Sequence, residues 1–350
     1  DTPEEIVDKF REVYEELYNS ADTSEAVGLI KEKLENMIDK NSVEEVRKIT
    51  PEVVKKAATL MKPNKADVTG SFTSDLLLHA PDSMFTALAS VFRSWLIHGT
   101  VSRHLLVCAF MPLLKSALKD PSSTDSYRAI AGSSQVLKLF DNVVLVVWGH
   151  LLHSDSLQFG FKPGFSTTQC SYLVQEVFGH YLRRKTPIFS TLCDCSKAFD
   201  TIQQSLLFNK MIERKIPLII VRLLINMYQK QTLDVRWKNK FSKEFPMSNG
   251  TKQGAVLSPI LFCFYMNDLF KELRKNRSGC YIGNYYSGCF GYADDLLLLC
   301  PSRSGLQEML NIAAKYAKDH SISFSLSLIH ISEPTRLLSI SDAGVWLEKK

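Results

Sequence analysis

Gly288-Cys289-Phe290-Gly291-Tyr292-Ala293-Asp294-Asp295-Leu296-Leu297-Leu298-Leu299 sets two adjacent acids between two apolar runs. Carboxylates embedded in buried strand cost free energy unless something compensates them. A tight hairpin resolves the conflict, because it puts the acids at its tip with successive side chains leaving on opposite faces. Divalent cations supply the compensation, since hard ions take carboxylate oxygens. An Asp-Asp pair after a strand is by itself an ordinary turn, so this reading needs a second element.

Ile188-Phe189-Ser190-Thr191-Leu192-Cys193 is that element: it runs apolar into Asp194, and Asp200 follows six residues later. If this strand lies beside the hairpin, the carboxylates of Asp194, Asp294 and Asp295 converge. Such convergence is what two-metal phosphoryl transfer requires.

The rest of the chain is read around these strands. Helical spacing predicts helices over 3–19 (on Ile6, Phe10, Val13, Tyr14 and Leu17), 24–39 and 43–60, with Pro51 early in or interrupting the last. Residues 1–60 carry no recognisable chemistry and are expected to be a solvated helical lead-in. A loop over 62–70, a helical stretch over 72–98, a strand over 105–114 ending at Lys115, and a helix through about 152 follow. From 188 onward, β-type runs (188–195, 233–237, 244–249, 280–291, 295–300) alternate with helices near 205–228, 256–275 and 304–319. The expected class is α+β, an antiparallel sheet backed by helices.

Bulk properties narrow the function classes. The 350 residues are 45% hydrophobic and 23% charged, as in a globular protein. No apolar run reaches the roughly 18 residues of a membrane span. The acidic start, Asp1-Thr2-Pro3-Glu4-Glu5, has no signal-peptide pattern and no initiator Met, so the chain is expected to be cut from a longer one. None of the 8 cysteines forms a CxxC pair, which argues against a zinc knuckle or redox motif and for a reduced intracellular compartment. Net charge is +5, but residues 1–60 hold 15 acidic and 9 basic residues, net −6, which leaves +11 for the remainder. A basic body suits a polyanionic partner without specifying one.

Five blocks resemble the reverse transcriptases of non-LTR (LINE-type) retrotransposons. Asp194-Cys195-Ser196-Lys197-Ala198-Phe199-Asp200 resembles their D-x-S-K-A-F-D box, and Tyr292-Ala293-Asp294-Asp295 the box that closes the active site. Gly250-Thr251-Lys252-Gln253-Gly254-Ala255-Val256-Leu257-Ser258-Pro259 is similar to G-x-x-Q-G-x-x-L-S-P. Phe159-Gly160-Phe161-Lys162-Pro163-Gly164-Phe165-Ser166-Thr167-Thr168-Gln169 is similar to G-F-R-P-G-x-S-T, and Ser126-Tyr127-Arg128-Ala129-Ile130 to Y-R-P-I. The blocks keep family order and spacing over roughly residues 60–325. Telomerase and group II intron enzymes share the core, and the S-K-A-F-D and G-F-K-P-G wording points to the retrotransposon branch.

The resemblance implies a right-hand polymerase fold. Residues 1–60 would be an N-terminal extension, 61–187 fingers, and 188–325 palm with some fingers elements interleaved; the thumb would be missing. It implies an RNA-directed DNA polymerase that adds dNTPs to a primer 3′-hydroxyl, with two Mg²⁺ ions that Mn²⁺ can replace. Asp194, Asp294 and Asp295 would hold the ions, joined by the backbone carbonyl of Cys195. Phe199 would be the steric gate that collides with a 2′-hydroxyl. Gln253 and Gly254 would meet the incoming nucleotide, and Lys115 and Arg128 its triphosphate. Lys162, Thr167 and Gln169 would follow the template, and Tyr292 would sit near the primer terminus. Asp200 reads as a structural acid. Implied partners are an RNA template, a DNA primer or target, and dNTP, with no membrane; the implied compartment is the nucleus.

Three departures stand out. Ala129 replaces the Pro of Y-R-P-I, and Asp67-Val68-Thr69-Gly70 stands where A-P-G-P-D is common. After Ser325, Leu326-Ser327-Leu328-Ile329-His330-Ile331-Ser332-Glu333-Pro334-Thr335-Arg336 resembles a translated sequencing-library adapter, so 326–350 is expected to be a non-native tail. Lacking a thumb and the lysine that would protonate pyrophosphate, the chain is expected to be weak or inactive. Two other readings stand beside the first: an intron-encoded or telomerase-like enzyme, and a degenerate or truncated element that only binds RNA. The intact acids argue against the last.

Overall fold

The computed structural model describes residues 2–20, 23–38, 42–67, 70 and 72–332. The chain forms two compact units, each built from two segments: Asp1–Leu152 with Phe199–Ser258, and His153–Ala198 with Pro259–Lys350. Helices and mainly antiparallel sheets give an α+β protein. Among the described residues no helix is long and apolar enough to cross a membrane.

The first unit packs helices around a sheet. Strand Val107–Leu114 pairs antiparallel with Tyr127–Gly132 and parallel with Thr232–Trp237, which is flanked by the short strands Lys240–Phe241 and Phe245–Pro246. The parallel pair departs from the expected all-antiparallel sheet. The expected strand 244–249 shrinks because Pro246 has no N–H for a ladder.

Helix Pro3–Tyr18 starts on a capping box between Thr2 and Glu5 with Pro3 in the first turn. Its buried seam is Val7, Phe10, Tyr14 and Tyr18, one face of the helix but not the set expected from periodicity. The expectation of a solvated lead-in fails here. Phe10, Tyr18, Leu34, Ile49 and Val54 are core residues, and each such burial stabilises by about 1.5–3 kcal/mol. Pro51 splits the expected helix 43–60 into Ser42–Arg47 and Pro51–Ala58, the second capped by Thr50. Pro81 likewise divides 72–98 into Ser74–Leu78 and Asp82–His98. Lys215, in the left-handed region at φ 57°, and Pro217 separate Gln204–Glu213 from Leu218–Lys230.

The second unit is a four-stranded antiparallel sheet in the order Ser323–Ser332, Ile188–Ser196, Asp295–Cys300, Cys289–Tyr292. Backbone pairing of the first of these runs along the whole of Ile188–Ser196. Of the segment expected to be non-native, 333–350 lies outside the described residues. Helices Thr167–Arg183, Ser258–Asn276 (apart from Ser258 itself) and Arg303–Asp319 complete the unit. Phe159, Cys170, Val174, Val177, Ile188, Phe290 and Leu299 form its buried cluster. The helix at 167–183 is not expected from periodicity, since only Cys170, Val174 and Val177 are buried on it. Its start was nonetheless written in the sequence as a Ser166/Gln169 capping box. The run 280–291 is not one strand. Tyr281–Ile282 and Tyr285–Tyr286 form a small hairpin turning at Gly283 (φ 59°), and Cys289–Tyr292 belongs to the main sheet.

Candidate active site

Strand Ile188–Ser196 brings Asp194 directly opposite Asp295 in the antiparallel ladder, with Leu192 opposite Leu297 two residues further along. Residues opposed in a ladder share a face. The face of Asp194, Leu192, Asp295 and Leu297 is half-buried, whereas Cys193, Cys195, Leu296 and Leu298 on the other face are buried. Opposed Cβ atoms lie about 4.5–5.5 Å apart, and like charges so placed are destabilising.

Asp294 is in the adjoining turn. Tyr292 pairs with Asp295 across the two-residue loop Ala293-Asp294. Ala293 has φ 59°, the left-handed region that a tight hairpin demands and an L side chain resists by roughly 1–2 kcal/mol. The Asp294 carbonyl accepts the Cys195 N–H at 3.3 Å, which extends the ladder to the tip. Although among the described residues no three His, Cys, Asp or Glu side chains are grouped so as to hold a metal ion, the backbone thus places the three acids at one end of one sheet. Their charges reach the same thiol: burial, then Asp294, Asp194 and Asp295, push Cys195 up to about 12. Burial also pushes Cys263 up to about 12. Both thiols stay protonated, so only the backbone of Cys195 is available to a cation.

What holds the strained turn was not among the expected site residues. Gln158 is 2% exposed. Its amide oxygen accepts the Ala293 N–H at 3.0 Å and the Gly160 N–H at 2.9 Å, and its amide nitrogen donates to the Ala293 carbonyl at 3.1 Å. Flanking backbone bonds tie Phe159 N–H to the Gly291 carbonyl (2.7 Å) and Gly291 N–H to the Leu157 carbonyl (2.8 Å). Gly160 lies so close that a Cβ there would fall 2.2 Å from the Ala293 nitrogen. The glycine of the Phe159–Gln169 block thus backs the Ala293 hairpin.

The Gln158 segment is anchored in turn. Asp155, its side chain 7% exposed, takes Arg274 at 2.8 and 2.9 Å and the Leu157 N–H at 3.0 Å. Burial works to raise the Asp155 pKa, but the Arg274 hydrogen bonds, the Leu157 N–H and the charges of Arg274 and Lys162 together outweigh it and hold the carboxyl below its ordinary value. A depressed folded-state pKa contributes stability that is present above the unfolded value and lost as pH falls through the folded one. Asp155→Asn is expected to lower stability at pH 7 by about 1–3 kcal/mol, less than a fully buried pair because Arg274 is 40% exposed. In urea titrations, the gap to wild type should close as pH falls below about 4; a constant gap would mean that charge pairing is not the cause.

Other expected residues of this unit are accounted for differently. Lys162 donates to the carbonyls of Ser154 (3.2 Å) and Asp155 and lies 5.4 Å from the Phe165 ring centroid, so its ammonium serves the loop. Gln169 spends its side-chain oxygen on the Ser166 N–H at 3.1 Å, and Thr167 opens that helix. Tyr292 packs against the Phe159–Phe290 cluster.

In the first unit, Phe199 and Gln253 are half-buried and Gly254 is exposed. The Phe199 carbonyl accepts the Thr251 N–H at 2.6 Å, and the Gln253 carbonyl accepts the Ala131 N–H at 2.7 Å. Gly254 has φ 101°, and a Cβ there would come 3.2 Å from the Ala131 carbonyl, so glycine is required. Arg128, opposite Leu113, is exposed. By ladder parity Lys115 shares its face, although Lys115 also donates to the Asp125 carbonyl at 2.7 Å. A cavity of about 630 Å³ opens beside Ile130 and Gly254 and carries Lys62, Lys65, Lys138 and Arg236. Sequence reading singled out none of these four cations.

The profile of "Reverse transcriptase (RNA-dependent DNA polymerase)" matches residues 117–340. The chain is similar to the "Retrovirus-related Pol polyprotein from type-2 retrotransposable element R2DM" of Drosophila melanogaster, 27% identical over 53% of this chain and 17% of that protein. It is similar to the "Retrovirus-related Pol polyprotein from type-1 retrotransposable element R2" of Nasonia vitripennis, 23% identical over 66% of this chain and 23% of that protein. The "RNA-directed DNA polymerase from mobile element jockey" of Drosophila melanogaster is 23% identical over 78% of this chain and 30% of that protein. The chain therefore spans less than a third of each relative. With the acids in register and a family profile covering most of its length, the chain belongs to the reverse transcriptase (RNA-dependent DNA polymerase) family.

Proposed function

We propose that this chain is the fingers-and-palm region of a non-LTR retrotransposon reverse transcriptase, copying RNA by adding dNTPs to a primer 3′-hydroxyl. The observation that carries the reading is the in-register opposition of Asp194 and Asp295, with Asp294 in the adjoining turn. Like charges opposed in a ladder cost free energy, and a divalent cation held between them would offset that cost.

The donor set suits divalent magnesium. All three side chains offer hard oxygens, and the neighbouring thiols hold their protons. Among the described residues no three acidic, His or Cys side chains are grouped so as to hold a metal ion by themselves. Magnesium is commonly held by one or two carboxylates, with water and substrate phosphates filling the other positions. When bound, two such ions lower the pKa of the attacking 3′-hydroxyl and neutralise the triphosphate and departing pyrophosphate.

The chain's own groups divide the remaining work. Asp194, Asp294 and Asp295, with the Cys195 carbonyl, fix the cations. Phe199 presents a ring that admits a deoxyribose and clashes with a 2′-hydroxyl. Gln253 and the bare backbone of Gly254 bound the nucleotide, and Arg128 and Lys115 meet phosphate oxygens from the exposed ladder face. Tyr292 supports the primer terminus. Thr167 and Gln169 face the template strand, whereas the loop bonds of Lys162 favour a structural role.

The test is extension of oligo(dT) on poly(rA) with dTTP and Mg²⁺, run beside Mn²⁺ binding followed by electron paramagnetic resonance. Expected are chelator-sensitive extension and a Mn²⁺ site that disappears in Asp294→Asn. Mn²⁺ binding and extension undiminished by that change would remove the assignment.

A further inference from the structure

The family profile begins at residue 117, so helix Pro3–Tyr18 lies outside it. Yet the end of this helix is built into the polypeptide that carries Phe199. Tyr18 is fully buried, its ring stacked on Phe110 at 4.9 Å between centroids, and its hydroxyl donates to the Asp200 carboxylate. The Tyr18 carbonyl accepts the N–H groups of Ser248 (3.1 Å) and Asn249 (3.0 Å). The Asn249 amide donates to the carbonyls of Leu17 (3.1 Å) and Asp200 (2.7 Å).

The following residues close the circuit back onto the same segment. Gly250 N–H reaches the Ile202 carbonyl at 2.7 Å, and Thr251 N–H reaches the Phe199 carbonyl at 2.6 Å. A Cβ at Gly250 would lie 2.6 Å from the Asp200 carbonyl oxygen. The Phe199-Asp200 segment is thus held at its carbonyls by Thr251 and Asn249 and at the Asp200 carboxylate by a phenol of the N-terminal helix. Burial, and next the Asp200 charge, raise the Tyr18 pKa well above its ordinary value, so the phenol remains a donor.

We infer that Tyr18 and Asp200 are a positioning pair for sugar selection. Their bond fixes the backbone of Phe199 and so the depth at which its ring meets the ribose of an incoming nucleotide. The pair touches no reacting atom and acts through Phe199, and the inference rests on the sugar-gate reading proposed above. A steric gate is sensitive to such a constraint because repulsion rises steeply over fractions of an ångström, and losing the hydroxyl removes a donor from a part-buried carboxylate.

The test uses the full chain with an annealed RNA template and DNA primer in Mg²⁺. It compares the melting-temperature rise given by dTTP with that given by UTP, a readout that needs no turnover. Wild type should favour dTTP. Tyr18→Phe keeps the stacked ring and should reduce the dTTP-to-UTP affinity ratio roughly tenfold. Asp200→Asn keeps an acceptor oxygen and should lose less, and the double variant should be no worse than Tyr18→Phe alone. A lowered melting temperature with an unchanged ratio in Tyr18→Phe would make the pair merely structural and overturn the inference; should that variant not fold, an unchanged ratio in Asp200→Ala, which removes the acceptor, does the same. A wild type without dTTP preference overturns the sugar-gate reading and the inference together.

Discussion

Asp194→Asn is expected to cut dTTP incorporation by roughly 10³-fold or more while leaving the metal-free protein at least as stable as wild type. The two expectations have opposite signs and come from one geometry. Asp194 and Asp295 are ladder partners. Without a cation their charges repel, and neutralising one removes a cross-strand term of about 0.2–1 kcal/mol. With a cation the same oxygens would become ligands, and the amide could not replace a carboxylate in charge. Wild type should therefore gain melting temperature on Mn²⁺ addition, by the equivalent of about 2.7 kcal/mol at one hundred times the dissociation constant. The variant should not. Calorimetry in chelator and in Mn²⁺, beside primer extension, checks all three. A variant less stable than wild type in chelator would show that Asp194 is structural in the apo protein; one that still extends primers would show that it is not a ligand.

That reversal explains how much of the site was legible. Acids abutting apolar strands conflict with local preference, and functional sites are where such conflict is tolerated. Asp194 and the Asp294-Asp295 pair could be picked out because each abuts an apolar run, Ile188–Cys193 or Leu296–Leu299. Gln158 gave no such signal. A lone glutamine beside Phe159 in a loop is unremarkable, and its importance arises only when the Ala293 turn, 135 residues away in sequence, needs both its peptide groups satisfied. Tyr18 was passed over, within a stretch expected to be a solvated lead-in, for a related reason. The acidic positions of helix Pro3–Tyr18 advertise its solvated side, while Val7, Phe10, Tyr14 and Tyr18 mark the packed one. Periodicity located the helix but could not say that its last residue bonds Asp200, 182 positions on. Breaks inside elements were legible only in part. Pro51 announced itself, whereas Pro81 was passed over within the expected helical stretch 72–98, and Lys215 in a left-handed conformation gave no signal. The cations of the first unit's cavity come from four separate places in the chain, and only topology collects them.

Gln158→Ala is expected to lower stability by about 2–5 kcal/mol and single-turnover primer extension by roughly 100-fold, with little change in the KM for dTTP. Truncation strips partners from the N–H and carbonyl of Ala293, and from the Gly160 N–H, in a region where Gln158 itself is 2% exposed. Each buried group left without a partner costs about 1–3 kcal/mol. The turn also loses what holds Ala293 at φ 59°, and a shift of about 1 Å at a ligand is enough to lose two orders of magnitude in rate. Gly160→Ala attacks the same turn from another atom. Its Cβ would meet Ala293 nitrogen at 2.2 Å and Cα at 2.7 Å, backbone that cannot swing aside, so the hairpin must move. The two substitutions should therefore share a phenotype, low rate in the folded fraction, although one opens a void and the other fills it. Ala293→Gly, which removes the left-handed strain, should restore part of the rate to Gln158→Ala but not to Gly160→Ala, where backbone atoms still collide. Urea denaturation and single-turnover extension on the same samples separate folding from positioning. If Gln158→Ala loses stability yet extends primers at the wild-type rate per folded molecule, the glutamine holds the fold and not the site.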